Sequence, residues 1–353
     1  MTFFAILGAG ILAITLIFIL IHCFRFRVPD YSQYDQPHPP LIKPPEAISA
    51  QHHDVLATLE EYHKKPVLST ARARERMDEL FSRPVESTTI SVDANGVGGE
   101  WVIAEGADPN KRLLYIHGGA FRVGSTKSHR FIASEFSRLA GVSVLSIDYR
   151  MQPEFKTIHC HEDCRIAYEW ILENGPEGKS APEHLFVAGD SAGGNLTLAL
   201  LAWARDNRKR AADGAVAIAP ATDISMSCPS WKTNADSDPF LGPVLGKAVK
   251  TPSMLLRPVL SKAAGKPVNH SEVSPLFGDL SNLPPILIQV SCDEMLYDDG
   301  VRYANKAISQ GSDVTLQVWP SMVHVFQGFA PDLPEANDAF QLIKTFIRQH
   351  IEK

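Results

Sequence analysis

The sequence is short of positive charge and of cysteine, and each shortage removes a class of protein. Its 34 lysines and arginines face 40 aspartates and glutamates, for a formal charge of -6. No basic stripe interrupts that balance, so the footprint of a nucleic-acid binder is missing and nucleic acid is set aside as a partner. The five cysteines, Cys23, Cys160, Cys164, Cys228 and Cys292, are odd in number and lack framework spacing. That excludes a disulfide scaffold and agrees with a reducing compartment. No internal repeat is evident.

What is present is an ordinary globular composition: 353 residues with 44% apolar side chains, enough for one large domain with elaborations. Residues 3–24, "FFAILGAGILAITLIFILIHCF", carry no charged side chain. At the helical rise they are long enough to cross a bilayer core of about 30 Å. The start "MTFF" has no basic residue and no small-x-small site follows the run, so an uncleaved anchor over 1–28 is expected rather than a signal peptide. Arg25 and Arg27 follow directly, and the positive-inside tendency then puts the bulk of the chain on the cytoplasmic side. The expectation is a single-pass membrane protein with the lipid bilayer as a partner. A proline-rich linker follows at 29–45, and the folded domain occupies 46–353.

Residues 46 to about 83 carry apolar side chains at helical spacing and read as helices lying over the domain rather than inside its sheet. Strand-like runs then appear at "STTISV", "EWVIAEG", "RLLYIH", "VSVLSIDY", "HLFVAG", "GAVAIAP", "PPILIQVS" and "VTLQVWP", with helical stretches such as 191–205 and 297–309 between the later ones. Short β-branched runs alternating with helices predict an α/β fold: a mostly parallel central sheet covered by helices on both faces. Residues 224–275, rich in Pro, Ser and Lys, read as an insertion after one strand.

"FVAGDSAGGNL", Phe186 to Leu196, places Ser191 between an apolar strand and a helix, flanked by Gly189 and Gly193. This is a G-x-S-x-G elbow in the strand–turn–helix context that such an elbow requires. The helix start aims free N–H groups and a positive dipole end at the serine. A serine hydroxyl reacts only when a neutral imidazole takes its proton and a carboxylate orients that imidazole. Downstream, "WPSMVHVFQGF" follows the last strand and offers His324, while His270 falls in the insertion. Upstream, "YIHGGAFRVGS" runs a strand into two glycines, whose backbone can approach a developing oxyanion closely. Gly118, Gly119 and Ala120 would donate N–H groups there together with Ala192, and His117 is a structural hydrogen-bonding residue of the loop.

These segments, together with "DYRMQPE" at 148–154 and "SPLFGDLSNLPP" at 274–285, resemble the hormone-sensitive-lipase-like family of α/β-hydrolase carboxylesterases. HGGA at 117–120 stands for that family's HGGG loop, and "GDSAGGNL" and "MVHVFQGF" match its elbow and histidine segments. The similarity spans about residues 85–350. It implies the α/β-hydrolase fold, esterase activity without cofactor or metal, and a helical cap, built here from about 46–83 and 224–275.

Three departures stand out. Ala120 replaces the last glycine of HGGG and adds a methyl near the acyl site. "FKTIHCHEDC" replaces a proline-rich stretch and puts Cys160, His161 and Cys164 within reach of one helix face, a weak metal pattern that lacks a fourth ligand. The acid is the third: counting from "LPP" at 283–285 or back from "LYDDG" at 296–300, the family's aspartate position falls on Glu294, with Asp293 the competing choice. The resemblance thus implies a serine hydrolase of small carboxylic esters of short to medium chain, acting through an acyl-enzyme. An arylamide deacetylase would use the same residues. A non-catalytic receptor of this fold is disfavoured because His324 is present.

Overall fold

The computed structural model describes residues 25–35 and 48–352. Its eight principal strands are β1 (Thr88–Ala94), β2 (Val97–Ile103), β3 (Asp108–Ile116), β4 (Val142–Asp148), β5 (His184–Asp190), β6 (Gly214–Ile218), β7 (Ile286–Ser291) and β8 (Val314–Trp319). They form one sheet in the order β1-β2-β4-β3-β5-β6-β7-β8. β2 pairs antiparallel with both β1 and β4, and every later pairing is parallel. This is the α/β-hydrolase sheet that the strand and helix rhythm predicts.

Successive side chains of a strand face opposite ways, and here both ways are interior. On β3, Leu114 and Ile116 join the core on one side while Leu113 and Tyr115 join the core on the other. The helices are α1 (Ala50–Lys64), α2 (Thr70–Phe81), α3 (Thr126–Ala140), α4 (Thr157–Ile171), α5 (Ala192–Asp206), α6 (Ser230–Thr233), α7 (Gly242–Val249), α8 (Ser253–Ala264), α9 (Tyr297–Ser309) and α10 (Pro334–Ile351). α4, α5 and α9 supply Tyr168, Leu196 and Tyr303 to the first core; α3 and α10 supply Phe136 and Phe340 to the second. Truncating any one of these fully buried leucines to alanine would cost about 2–5 kcal/mol.

The 25–35 segment runs across α8 and α9. Arg302 pairs with Asp35 at 2.6 Å, Asn305 donates to the Tyr34 carbonyl at 2.8 Å, and Arg257 donates to the Phe26 carbonyl at 3.2 Å.

The membrane localisation read from the sequence, with its cytoplasmic main domain and bilayer partner, is corrected here. Among the described residues no helix is long and apolar enough to cross a membrane. Hydropathy scores only length and apolarity, and the run at 3–24 lies outside the described residues, as does most of the 29–45 linker.

Candidate active site

Every group expected to react sits just beyond the carboxyl end of a parallel strand, where doubly wound sheets bind their ligands. Ser191 directly follows β5 and caps α5 with φ 52° and ψ −115°, a conformation rare outside glycine. Its N–H is held by the Ile218 carbonyl at 2.8 Å. The turn closes only because residue 193 has no side chain: a Cβ there would lie 1.9 Å from the Ile116 carbonyl oxygen. Asn195, one helical turn on, donates to the carbonyls of Ala221 (2.7 Å) and Val273 (3.0 Å), tying the elbow to both ends of the 224–275 insertion.

His324 Nε2 lies 2.9 Å from Ser191 Oγ. Its Nδ1 donates to Glu294 Oε2, and Glu294 Oε1 accepts from the Ser291 N–H at 2.8 Å. All three side chains are buried. Asp293 goes elsewhere: its N–H meets Ser291 Oγ at 3.3 Å, its carbonyl accepts from Ser237 at 3.1 Å, and no contact joins it to His324. Burial pulls the His324 imidazole down, but the hydrogen bond and charge of Glu294 outweigh it and leave the group above its ordinary value. Burial also holds the Glu294 carboxyl above its usual range, with His324 pulling the other way.

The glycine loop after β3 takes three positive φ values in succession, at Gly119 (111°), Ala120 (54°) and Phe121 (60°). A Cβ at Gly119 would meet the Val123 carbonyl oxygen at 2.1 Å. No described residue accepts from the N–H groups of Gly119, Ala120 or Ala192. Gly118 departs from expectation: its N–H donates to Asp190 Oδ1 at 3.0 Å, so it is engaged before any oxyanion forms. Tyr115 OH shares the same carboxylate oxygen at 2.6 Å, and His129 Nε2 lies 3.4 Å from the other. His117 braces the loop, its Nδ1 donating to the Gly118 carbonyl at 2.7 Å while its ring stacks on Tyr149 at 4.3 Å. Burial, then the nearby His129, push His117 down to about 4. The "DYRMQPE" segment contributes Gln152, whose N–H holds the Phe121 carbonyl at 2.8 Å.

Cys160, His161 and Cys164 lie on α4 and are buried. Burial pushes the Cys160 thiol up to about 12. Among the described residues no group of three His, Cys, Asp or Glu side chains is placed to hold a metal.

Above Ser191 and His324 opens a cavity of about 660 Å³, within the size range of small-molecule sites. The sheet body supplies its floor, and two distant stretches supply its walls: Tyr62, His63, Arg76 and Met77 from α1 and α2, and Phe240, Leu245, Leu256 and Leu260 from the insertion. Tyr62 and Met77 belong to the helical apolar pattern read from the sequence, whereas His63, Arg76 and the insertion's Phe240, Leu245, Leu256 and Leu260 were not singled out there.

Residues 113–328 match the family profile of the alpha/beta hydrolase fold. The chain belongs to the alpha/beta hydrolase family. Within it this hydrolase groups with bacterial esterases of the hormone-sensitive-lipase type. It is 34% identical to an acetyl-hydrolase of Streptomyces hygroscopicus over 277 residues, covering 78% of this chain and 87% of that one. It is 35% identical to the carboxylesterase/phospholipase LipF of Mycobacterium tuberculosis over 248 residues, 69% of this chain and 63% of that one. Among solved structures, an esterase of the bacterial hormone-sensitive lipase family superposes with a TM-score of 0.77 at 33% identity, covering 86% of this chain and 99% of that one.

Proposed function

We propose that this hydrolase is a serine carboxylesterase of short- to medium-chain esters that works through an acyl-enzyme. The observation that carries the reading is the unbroken hydrogen-bonded line Ser191–His324–Glu294, which opens into a mainly apolar cavity. In that scheme Ser191 Oγ attacks the ester carbonyl carbon while its proton passes to His324 Nε2. Glu294 fixes the imidazole tautomer and stabilises the imidazolium. The carbonyl oxygen, now negative, accepts from the N–H groups of Gly119, Ala120 and Ala192, each such donor being worth on the order of 3 kcal/mol. The tetrahedral adduct collapses, the alcohol leaves with the proton from His324, and an acyl-serine remains. Water then gives a proton to His324, attacks the acyl carbon and releases the carboxylic acid and free Ser191.

The stretches 46–83 and 224–275 act in this reading as a cap over the hydrolase body, because their side chains form the cavity walls. The reading is tested by fluorophosphonate labelling. Labelling at Ser191, lost together with turnover in a folded Ser191→Ala protein, is expected; labelling at another serine would refute it.

Amide cleavage is the second reading, since an acyl amide would engage the same Ser191–His324–Glu294 line. Matched acetyl ester and acetyl anilide substrates separate the two by their ratio of kcat/KM.

A further inference from the structure

The cavity lining is mainly apolar, and besides the groups around Ser191 it carries a buried cation where α1 meets α2. Arg76 projects from α2 into that wall and is only 3% exposed. Its Nη1 donates to the Lys65 carbonyl at 2.6 Å, and its guanidinium stacks on the Tyr62 ring with Cζ 4.3 Å from the centroid. Nη2 is buried without any acceptor. Among the described residues no carboxylate pairs with this guanidinium, whereas the buried Arg302 pairs with Asp35 and the buried Arg112 donates to the carbonyls of Pro109, Ile171 and Ser180 and to the Ser180 hydroxyl. A desolvated cation with a free donor edge costs several kcal/mol unless an anion meets it.

The neighbouring groups strengthen the asymmetry. His63 is in edge contact with Tyr62 at 5.2 Å, and its ring faces the backbone of Pro239 and Phe240. Lys65 and Arg122 line the same cavity. The one acidic side chain in the lining is Asp190, already bonded to Tyr115 and Gly118. One ring, Phe240, lies between this polar end and the reacting groups, 6.3 Å from His63 and 6.1 Å from His324. Phe240 thus neighbours both groups, and a substrate chain running past its ring would connect them.

We infer that Arg76 is a specificity-determining residue, and that the ester this cavity takes carries a carboxylate a few carbons from its scissile carbonyl. The carboxylate pairs with the Arg76 guanidinium, while the chain between lies along Phe240 and Met77. Arginine suits this role because its planar fork binds carboxylate directionally. The inference rests on the ester hydrolase reading.

The test compares nitrophenyl esters of straight-chain monoacids with the corresponding mono-nitrophenyl esters of dicarboxylic acids. A second series places the free carboxylate on the alcohol side. In the unmodified full-length protein at pH 7 and low salt, kcat/KM for the carboxylate-bearing member should exceed that of the neutral ester of matched length at least tenfold in one of the two series, mainly through KM. In Arg76→Leu that ratio should fall at least tenfold, and in Arg76→Lys it should fall less. Preference for the neutral ester in both series overturns the inference by itself, whether or not the variants fold. An unchanged ratio in a folded Arg76→Leu protein overturns it as well. Absence of turnover on every ester would instead strike the ester reading, whereas brisk turnover of neutral esters without a carboxylate preference strikes only this inference.

Discussion

Gly118 donates its N–H to the carboxylate of Asp190, the residue immediately before Ser191, at 3.0 Å. The glycine loop and the elbow are therefore one braced unit, and Asp190 serves as a positioning residue for donors it does not itself supply. Asp190→Ala should lower kcat by about 10²–10³, the scale of losing an oxyanion donor, with a smaller change in KM. Asp190→Asn keeps an acceptor for Gly118 and Tyr115 and should recover most of that loss. Steady-state kinetics on a short neutral ester, with a melting curve for each variant, check this.

Glu294→Gln should lower kcat by about 10⁴, as misorienting the histidine does in comparable triads. Asp293→Asn should stay within a few-fold of the parent, since Asp293 has no contact with His324. The reverse ranking would transfer the acid's role to Asp293.

The pH profile carries a sign. In the proposed scheme His324 must be neutral to accept the serine proton, and Glu294 holds its folded-state value above the ordinary 6.5. Activity should therefore be lost as pH falls through a midpoint above 6.5, rather than below it. Removing the Glu294 charge leaves burial dominant, so the residual activity of Glu294→Gln should show an acid limb displaced to lower pH. A kcat/KM profile from pH 5 to 9 for both proteins reads the two midpoints.

Positions 119 and 120 should respond oppositely to a methyl group. Gly119→Ala forces a Cβ against the Val123 carbonyl and should yield an inactive or poorly folded protein. Ala120→Gly removes a side chain from a residue at φ 54° and should keep or raise the melting temperature by up to a few degrees. It should also widen the range of acyl groups accepted. Thermal melts and an acyl-series kinetic profile decide both.

The strands were legible because each is a short β-branched run bounded by turn residues, and the eight runs quoted from the sequence all lie in the sheet. Ser191 and His324 were legible through their order and their place after strands. Glu294 and Asp293 could not be separated by chemistry, since adjacent residues after a strand differ only in where they point. The direction of the Gly118 N–H was hidden for a similar reason: it depends on the backbone angles of 119–121, not on residue type. Arg76 and His63 were hidden more deeply. Both lie on helices rich in polar residues, where an arginine reads as a solvated side chain, and only packing between α1, α2 and Phe240 removes them from water. The apolar run at 3–24 was plain in the sequence and lies outside the described residues, among which no helix is long and apolar enough to cross a membrane.

The cavity walls come from two stretches of chain that lie far apart in sequence, while the reacting groups come from strand ends that neither stretch contains. Chemistry and selectivity are thus written in separate, independently mutable text. A library confined to the wall positions of 62–77 and 240–264 should change which esters are hydrolysed while leaving the reactivity of Ser191 towards a small fluorophosphonate constant. Selection can in this way diversify diet without endangering the engine.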